Sequence, residues 1–305
     1  MKTIKQTTSI SALFLAIIVS LFNIQNALAA NTITVTPSVA RIDLQRDSAV
    51  TQIYYFNDSK ETVTLGLSVK NFTALEDGFK VKFLNSSSDS LQYSLASWIH
   101  LGTNTLILSP GERNSVKIFI DKENLSPGGH YASIIAEIKQ DNAPKTLGLT
   151  QAISSLLFVR GANGPYASSA TINDFSLFTK NGSFPERSTM RFNNTGNVEL
   201  VPYGEVTISN WRGKTVAHGI VNTESLITLP ENIRSYSIPI EKRGTTIWPG
   251  YFTAKIQVHF DGHESSILQE KSFFSFGSFS VREIIYGFIL LVLIIFIIRR
   301  LLHKR

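Results

Sequence analysis

Thr62-Val63-Thr64-Leu65-Gly66-Leu67-Ser68-Val69-Lys70 decides the fold. Its large apolar residues fall at every second position. Thr, Gly, Ser and Lys stand between them. Only an extended chain sends alternate side chains to opposite faces, so this stretch predicts a strand with one face in a core. Residues 251–260 repeat the pattern, with Phe252, Ala254, Ile256, Val258 and Phe260 against Tyr251, Thr253, Lys255, Gln257 and His259. Shorter runs of the same kind occupy 33–36, 53–56, 116–120, 132–138, 152–159, 206–209 and 236–240. Turn signals such as Asp77-Gly78, Ser109-Pro110-Gly111, Asn181-Gly182 and Asp261-Gly262 separate them. No long helical period precedes residue 284. The prediction is an all-β chain built as sandwiches.

A degenerate repeat sets the domain count. Residues 53–61 resemble 189–197 if Asn57-Asp58 is laid on Asn193-Asn194. Residues 108–118 resemble 229–238 through Pro110 and Pro230, and Pro127-Gly128 matches Pro249-Gly250. Two related sandwiches are expected, at 31–160 and 168–278, joined by a linker over 161–167 that carries Gly161-Ala162-Asn163-Gly164-Pro165. Either copy is long enough to hold its own core.

The two ends of the chain set where it lives. Residues 10–22 are an apolar run preceded by Lys2 and Lys5 and followed by Ala27-Leu28-Ala29-Ala30. That is the arrangement of a secretory signal over 1–30, cleaved at the small residues Ala27, Ala29 and Ala30. A second run opens at Ile284 and closes at Ile298, with Arg299 and Arg300 directly behind it. It reads as a stop-transfer helix over 279–298 with a basic cytoplasmic tail at 299–305. The fifteen uncharged residues reach about 22 Å, short of a hydrocarbon core of about 30 Å, unless neighbours extend the helix. The topology that follows is single-pass type I. The ectodomain is extracellular or periplasmic.

The net charge of +6 belongs to those ends. Residues 31–281 hold 22 Lys and Arg against 22 Asp and Glu. A phosphate-binding face needs basic charge on a folded domain, so nucleic acid is excluded as a partner. The chain has no cysteine, which excludes disulfides, thiolate metal sites and a cysteine nucleophile. An exported chain without disulfides relies on core burial, which favours a bacterial envelope over an animal receptor.

Sequence motifs for catalysis are absent: no G-x-S-x-G, no H-E-x-x-H, no P-loop. His259 and His263 have a metal-like spacing, but Asp261-Gly262 breaks the segment as a turn. Glu76-Asp77 precedes Gly78 in a loop. The chain therefore reads as no enzyme, with no catalytic, cofactor or metal residues. Trp98 and Trp248, beside apolar strands, read as core or sandwich-edge anchors. Trp211 and Arg212, in the turn Asn210-Trp211-Arg212-Gly213-Lys214, are the candidate partner contacts. Phe273, Phe274, Phe276 and Phe279 lead into the helix. They either sit at the headgroup interface or complete the last strand.

Two resemblances emerge. The order of signal, two immunoglobulin-like domains, helix and basic tail resembles the WxL-interacting surface proteins of Gram-positive bacteria. Trp98, Leu108-Ser109-Pro110-Gly111-Glu112, Pro127-Gly128-Gly129 and Asn194-Thr195-Gly196-Asn197 followed by 201–208 carry it. It implies peptidoglycan or another surface protein as the partner, in an adhesive or scaffolding role. The first domain is also similar to the amino-terminal domain of PapD-like pilus chaperones, through residues 35–42 and Leu108-Ser109-Pro110-Gly111. That resemblance implies a membrane-tethered chaperone for pilus or surface-protein subunits, with Arg41 either anchoring a client carboxylate or solvated at a strand edge. Those chaperones are soluble, whereas a stop-transfer helix is read here. A chaperone needs an open sheet edge in the first domain to accept a client strand.

Overall fold

The computed structural model describes residues 33–75, 81–84, 92–139, 151–261 and 266–302. The signal segment with Ala27, Ala29 and Ala30, the Glu76-Asp77 turn, the serine run at 86–90 and His263 lie outside the described residues. The architecture is mostly β-sheet with one long apolar helix.

Strands β1 (Ile33–Thr36), β3 (Val50–Asn57), β8 (Arg113–Ile120) and β6 (Ile99–Leu101) form one sheet, in the order β1-β3-β8-β6. Facing it is a second sheet in the order β2-β10-β9-β4-β5, with β7 also on β4. These strands are β2 (Val39–Asp43), β4 (Val63–Ala74), β5 (Val81–Phe83), β7 (Thr105–Leu108), β9 (Gly129–Lys139) and β10 (Ala152–Arg160). The core between the sheets holds Ile53, Leu65, Leu108, Ile118, Ile134 and Leu157. Val63, Leu65 and Leu67 of β4 all point into it, as their alternation predicts. Strand β9 is buried on both faces over its first eight residues, and Tyr131 on its outer face joins Leu229 of the second half in an apolar cluster.

That second half repeats the plan. Strands β11 (Ala170–Phe178), β12 (Arg187–Asn194) and β15 (Ile233–Pro239) form a three-stranded sheet. Strands β16 (Glu241–Lys242), β14 (Thr215–Val221), β13 (Tyr203–Asn210), β17 (Gly250–His259) and β18 (Ile267–Ser275) form a five-stranded one. Phe184, Phe192, Ile208, Ile238, Ile256 and Phe260 fill the space between.

The repeat is offset by one residue from its sequence alignment. The buried turn-forming asparagines are Asn57 and Asn194, each the last residue of its strand. Asn57 donates through Nδ2 to the Glu61, Leu108 and Ser109 carbonyls, and Asn194 does so to the Val198 and Thr228 carbonyls. Their backbones match as well. Gly111 N–H donates to Asn57 O and Glu231 N–H to Asn194 O, both from residues with positive φ.

Helix α1 runs over Val281–Leu302, longer at both ends than the uncharged run. Ser280 and Glu283 start it as a capping box: Glu283 N–H donates to Ser280 Oγ at 3.3 Å, and Ser280 N–H to Glu283 Oε2 at 2.7 Å. At 1.5 Å per residue the helix reaches about 33 Å, which removes the shortfall. Over Arg282–Leu302 it has a mean hydropathy of 2.5, no part of it is covered by the rest of the protein, and it is long and apolar enough to cross a membrane.

Candidate functional site

The outer edge of β10 is half filled. Strand β10 pairs with β9 along its whole length, from Ala152↔Glu137 to Arg160↔Gly129. On its other side β2 runs parallel to it, and that pairing covers only Leu156 to Arg160. The hydrogen-bond alternation shows which peptide groups are involved. Ile138 N–H donates to Gln151 O, so residues 151, 153, 155, 157 and 159 turn their peptide groups toward β9. The even-numbered residues turn theirs outward. Two bonds agree: Leu156 N–H donates to Ser38 O at 2.9 Å, and Leu44 N–H donates to Arg160 O at 3.1 Å. Ala152 and Ser154 therefore present their N–H and C=O outward, with no ladder partner among the described residues. Ser155 closes the filled part by donating through Oγ to Pro37 O at 2.6 Å.

The open stretch rests on a firm base. Ile153 packs against the first core, and Leu157 and Val159 are buried in it. The small side chains of Ala152 and Ser154 lie on the opposite face.

Beside the filled half of β10 lies the contact between the two sandwiches. Phe72, Tyr131 and Phe158 of the first form an apolar cluster with Leu229 of the second. Arg160 binds Glu199 through Nε at 3.0 Å and donates from Nη2 to the Glu199 carbonyl at 3.2 Å. Tyr131 donates to the other oxygen of Glu199 at 3.3 Å. Burial, with the Glu199 charge second, holds the Tyr131 phenol well above its ordinary range. Tyr93 donates to Glu231 at 2.9 Å, and burial followed by that hydrogen bond pushes its phenol up to about 12. Tyr166 donates to Asp43 at 2.7 Å and to Gly161 O at 3.0 Å. Gly128, at φ +112°, lies so close to the second sandwich that a Cβ there would come within 2.8 Å of Asn197 O. Residues 161–167 are tied at both ends, with Gly161 N–H donating to Gly128 O and Ala167 N–H to Asn197 Oδ1.

Arg41 lies in a cavity of about 250 Å³ with Arg160, Asp43, Asp47, Glu199 and Asp261. It pairs with Asp261 at 3.6 Å. Two guanidinium groups face four carboxylates there, so the site repels a further carboxylate. Arg41 pairs across the two sandwiches in a contact that is partly open to water.

The remaining expectations divide. Trp211 is exposed in the β13–β14 turn, its ring under the Arg212 guanidinium at 4.4 Å. Asn210 shapes that turn by accepting from Arg212 N–H and Lys214 N–H. Trp98 is half-buried against the first core, but Trp248 is exposed, against its reading as a core residue. It follows buried Ile247 in the loop ahead of β17 and is turned to solvent. His259 stacks on Tyr203 at 5.6 Å. Among the described residues there is no catalytic constellation and no group of three or more His, Asp or Glu side chains able to hold a metal. Sequence reasoning missed Glu199. Its one signal was a lone acid inside Val198-Glu199-Leu200-Val201.

No protein-family profile matches the chain, and neither does any curated protein. Among solved structures the chain is similar to one from the chaperone–tip adhesin complex of CFA/I fimbriae biogenesis, at 10% identity and a TM-score of 0.41, covering 79% of this chain and 98% of that one. It is also similar to the E. coli chaperone DraB, at 12% identity and a TM-score of 0.38, covering 80% and 98%. A third is the Pseudomonas aeruginosa CupB2 chaperone, at 10% identity and a TM-score of 0.37, covering 78% and 98%. None of these three is a WxL-interacting surface protein. With TM-scores below 0.5 the likenesses carry no functional weight, which falls on the residues of the edge.

Proposed function

We propose that the chain is an exported bacterial envelope protein, tethered by α1. In this reading two tandem immunoglobulin-like sandwiches hold an extended segment of a pilus or surface-protein subunit against the first half of β10. The reading makes it a tethered, non-enzymatic chaperone in the manner of the PapD-like group. The observation that supports it is the pair of outward peptide groups at Ala152 and Ser154, continuous with an edge that β2 already fills from Leu156 onward. An added strand gains main-chain hydrogen bonds there, and alternate side chains supply its specificity. The contact between the sandwiches holds the edge still, so little ordering is lost on binding.

A photo-crosslinking residue at Ala152 in the full chain tests this in living cells. The expected result is capture of an exported protein, lost in Ser154→Pro, which removes an outward N–H that has no ladder partner among the described residues. Capture that is unchanged in S154P overturns strand addition. Sedimentation with purified peptidoglycan that also survives S154P favours the wall-binding, adhesive role instead.

A further inference from the structure

The five-stranded sheet of the second sandwich has two poles. At one, Tyr203 opens β13 and His259 closes β17, near Asp261 and its contact with Arg41 of the first sandwich. At the other, β13 ends at Asn210, β17 begins at Gly250 and β18 ends at Ser275, six residues before α1 begins. This second pole carries an aromatic cluster that the protein leaves uncovered. Trp248, Trp211 and Tyr251 are 73%, 70% and 68% exposed. The rings fall in two groups. Trp248 lies 5.4 Å from Phe279, Tyr251 5.3 Å from Phe274, and Phe274 5.5 Å from Phe276. Trp211 reaches the same place, since a Cβ at Gly250 would be 3.8 Å from its ring.

Core packing does not explain these rings. Phe273 and Phe252 stack at 5.6 Å against the interior, so the sandwich is already closed without them. Their place in the chain does. Phe279 is two residues ahead of α1, and backbone bonds clamp the junction: Ser278 N–H to Ile247 O at 2.8 Å and Phe184 N–H to Gly277 O at 3.1 Å. The ring cluster cannot move away from the start of the helix. Cations stand at the same pole. Arg212 covers Trp211, while three cations, Lys180, Arg187 and Arg282, against one acid, Glu186, line an open groove of about 1140 Å³ together with Phe178 and Phe279. Aromatic rings with a polar handle, ringed by Lys and Arg beside a spanning helix, match the headgroup layer of a phospholipid bilayer.

We propose that this pole is a bilayer-facing surface, and that Trp211, Trp248, Tyr251, Phe274 and Phe279 rest in the headgroup layer around the entry point of α1. The proposal builds on the reading of α1 as a membrane span. It makes the second sandwich a seated base, with the β10 edge held beyond it.

Its test uses the full chain in phosphatidylcholine–phosphatidylglycerol vesicles, with and without dibrominated phosphatidylcholine. Three variants keep one tryptophan each by Trp→Phe changes at the other two. The Trp211 and Trp248 emissions should shift to the blue, lose intensity to the brominated lipid and resist aqueous iodide. Trp98, half-buried against the first core, should lose no intensity to the brominated lipid. Resistance of the protein to carbonate extraction is read in parallel. Carbonate-resistant protein whose Trp211 and Trp248 are quenched by iodide and not by bromine overturns the seated surface and leaves the span intact. Release by carbonate overturns the span and the surface with it. Shielding from iodide with no bromine quenching and a crosslinked dimer assigns the patch to a second copy, and overturns the lipid reading.

Discussion

Asn57 in the first sandwich and Asn194 in the second sit at the same corner and close it the same way. Each is fully buried, each donates to carbonyls of two separate segments, and each accepts a local N–H, from Ser59 in one case and Gly196 in the other. The last strands of the two copies differ. In the first, β2 crosses over and fills the inner half of the β10 edge. In the second, β18 has no partner strand on its outer side among the described residues, and its side chains bind the neighbouring sheet instead: Gln269 donates to Ile172 O and Lys271 to Phe175 O. A shared corner therefore holds the fold, and unlike edges separate the roles. Local hydrogen bonding is hard to alter without losing the sandwich, whereas an edge changes with one crossing strand.

The corner carries the largest expected effect. Asn57→Ala and Asn194→Ala each strand buried carbonyls, at a cost of about 3 kcal/mol in urea unfolding. Asn57 donates to three carbonyls and Asn194 to two, so N57A should cost more. Equal small losses in both variants, under about 1 kcal/mol, would break the equivalence of the corners.

Next comes the joint between the copies. Glu199→Ala leaves Arg160 without its carboxylate and Tyr131 without its acceptor. Arg160 keeps some contact with water, so the cost should be about 2 kcal/mol, below that of a fully enclosed pair. The signature is a split of one unfolding transition into two. A single unshifted transition in E199A would show that the apolar cluster around Phe72 and Leu229 and the remaining polar contacts couple the copies without Glu199.

What the sequence made legible was local. Period-two alternation located β4 and β17 because it is the direct imprint of one buried face. The apolar helix was legible too, though its bounds shift from 279–298 to Val281–Leu302, because Ser280 caps its start and Arg299 and Arg300 continue it instead of ending it. The repeat slipped by one because Asn193-Asn194 offers two ways to align, and burial decides for Asn194. The site was not legible. An open edge is a fact about pairing, and β2 and β10 lie more than a hundred residues apart in sequence. The Arg160–Glu199 bond is non-local as well. Trp248 was misread because apolar neighbours in sequence do not say which of two adjacent residues faces inward.

The edge itself separates two adjacent substitutions. Ser154→Pro removes an outward N–H and should cost under about 1 kcal/mol. Ser155→Pro removes a bond to Ile134 of β9, and the serine Oγ bond to Pro37 O as well, and should cost about 3 kcal/mol. Similar losses from the two would show that the outward half of the ladder is already in use.

The smallest effect is an alkaline loosening of the joint. Tyr93 is held neutral to about 12 in the folded protein, chiefly by burial and then by its bond to Glu231. An unfolded tyrosine ionises near 10. Between those values only the unfolded chain gives up its proton, so the group's contribution is complete below about pH 10 and falls away as pH rises toward 12. Tyr131, raised further by burial beside Glu199, acts in the same direction. Tyr166, raised by burial and its bond to Asp43, does so too, and Tyr93→Phe removes one of these phenols. The slope of unfolding free energy against pH between about 10 and 12 should therefore be shallower in Y93F than in the wild type. The corner variant N57A, far from this phenol, should keep the wild-type slope. If Y93F and the wild type run parallel, the hydroxyl does not meet Glu231 across the joint, and the coupling of the two sandwiches rests on the Arg160–Glu199 and Arg41–Asp261 pairs and the apolar cluster.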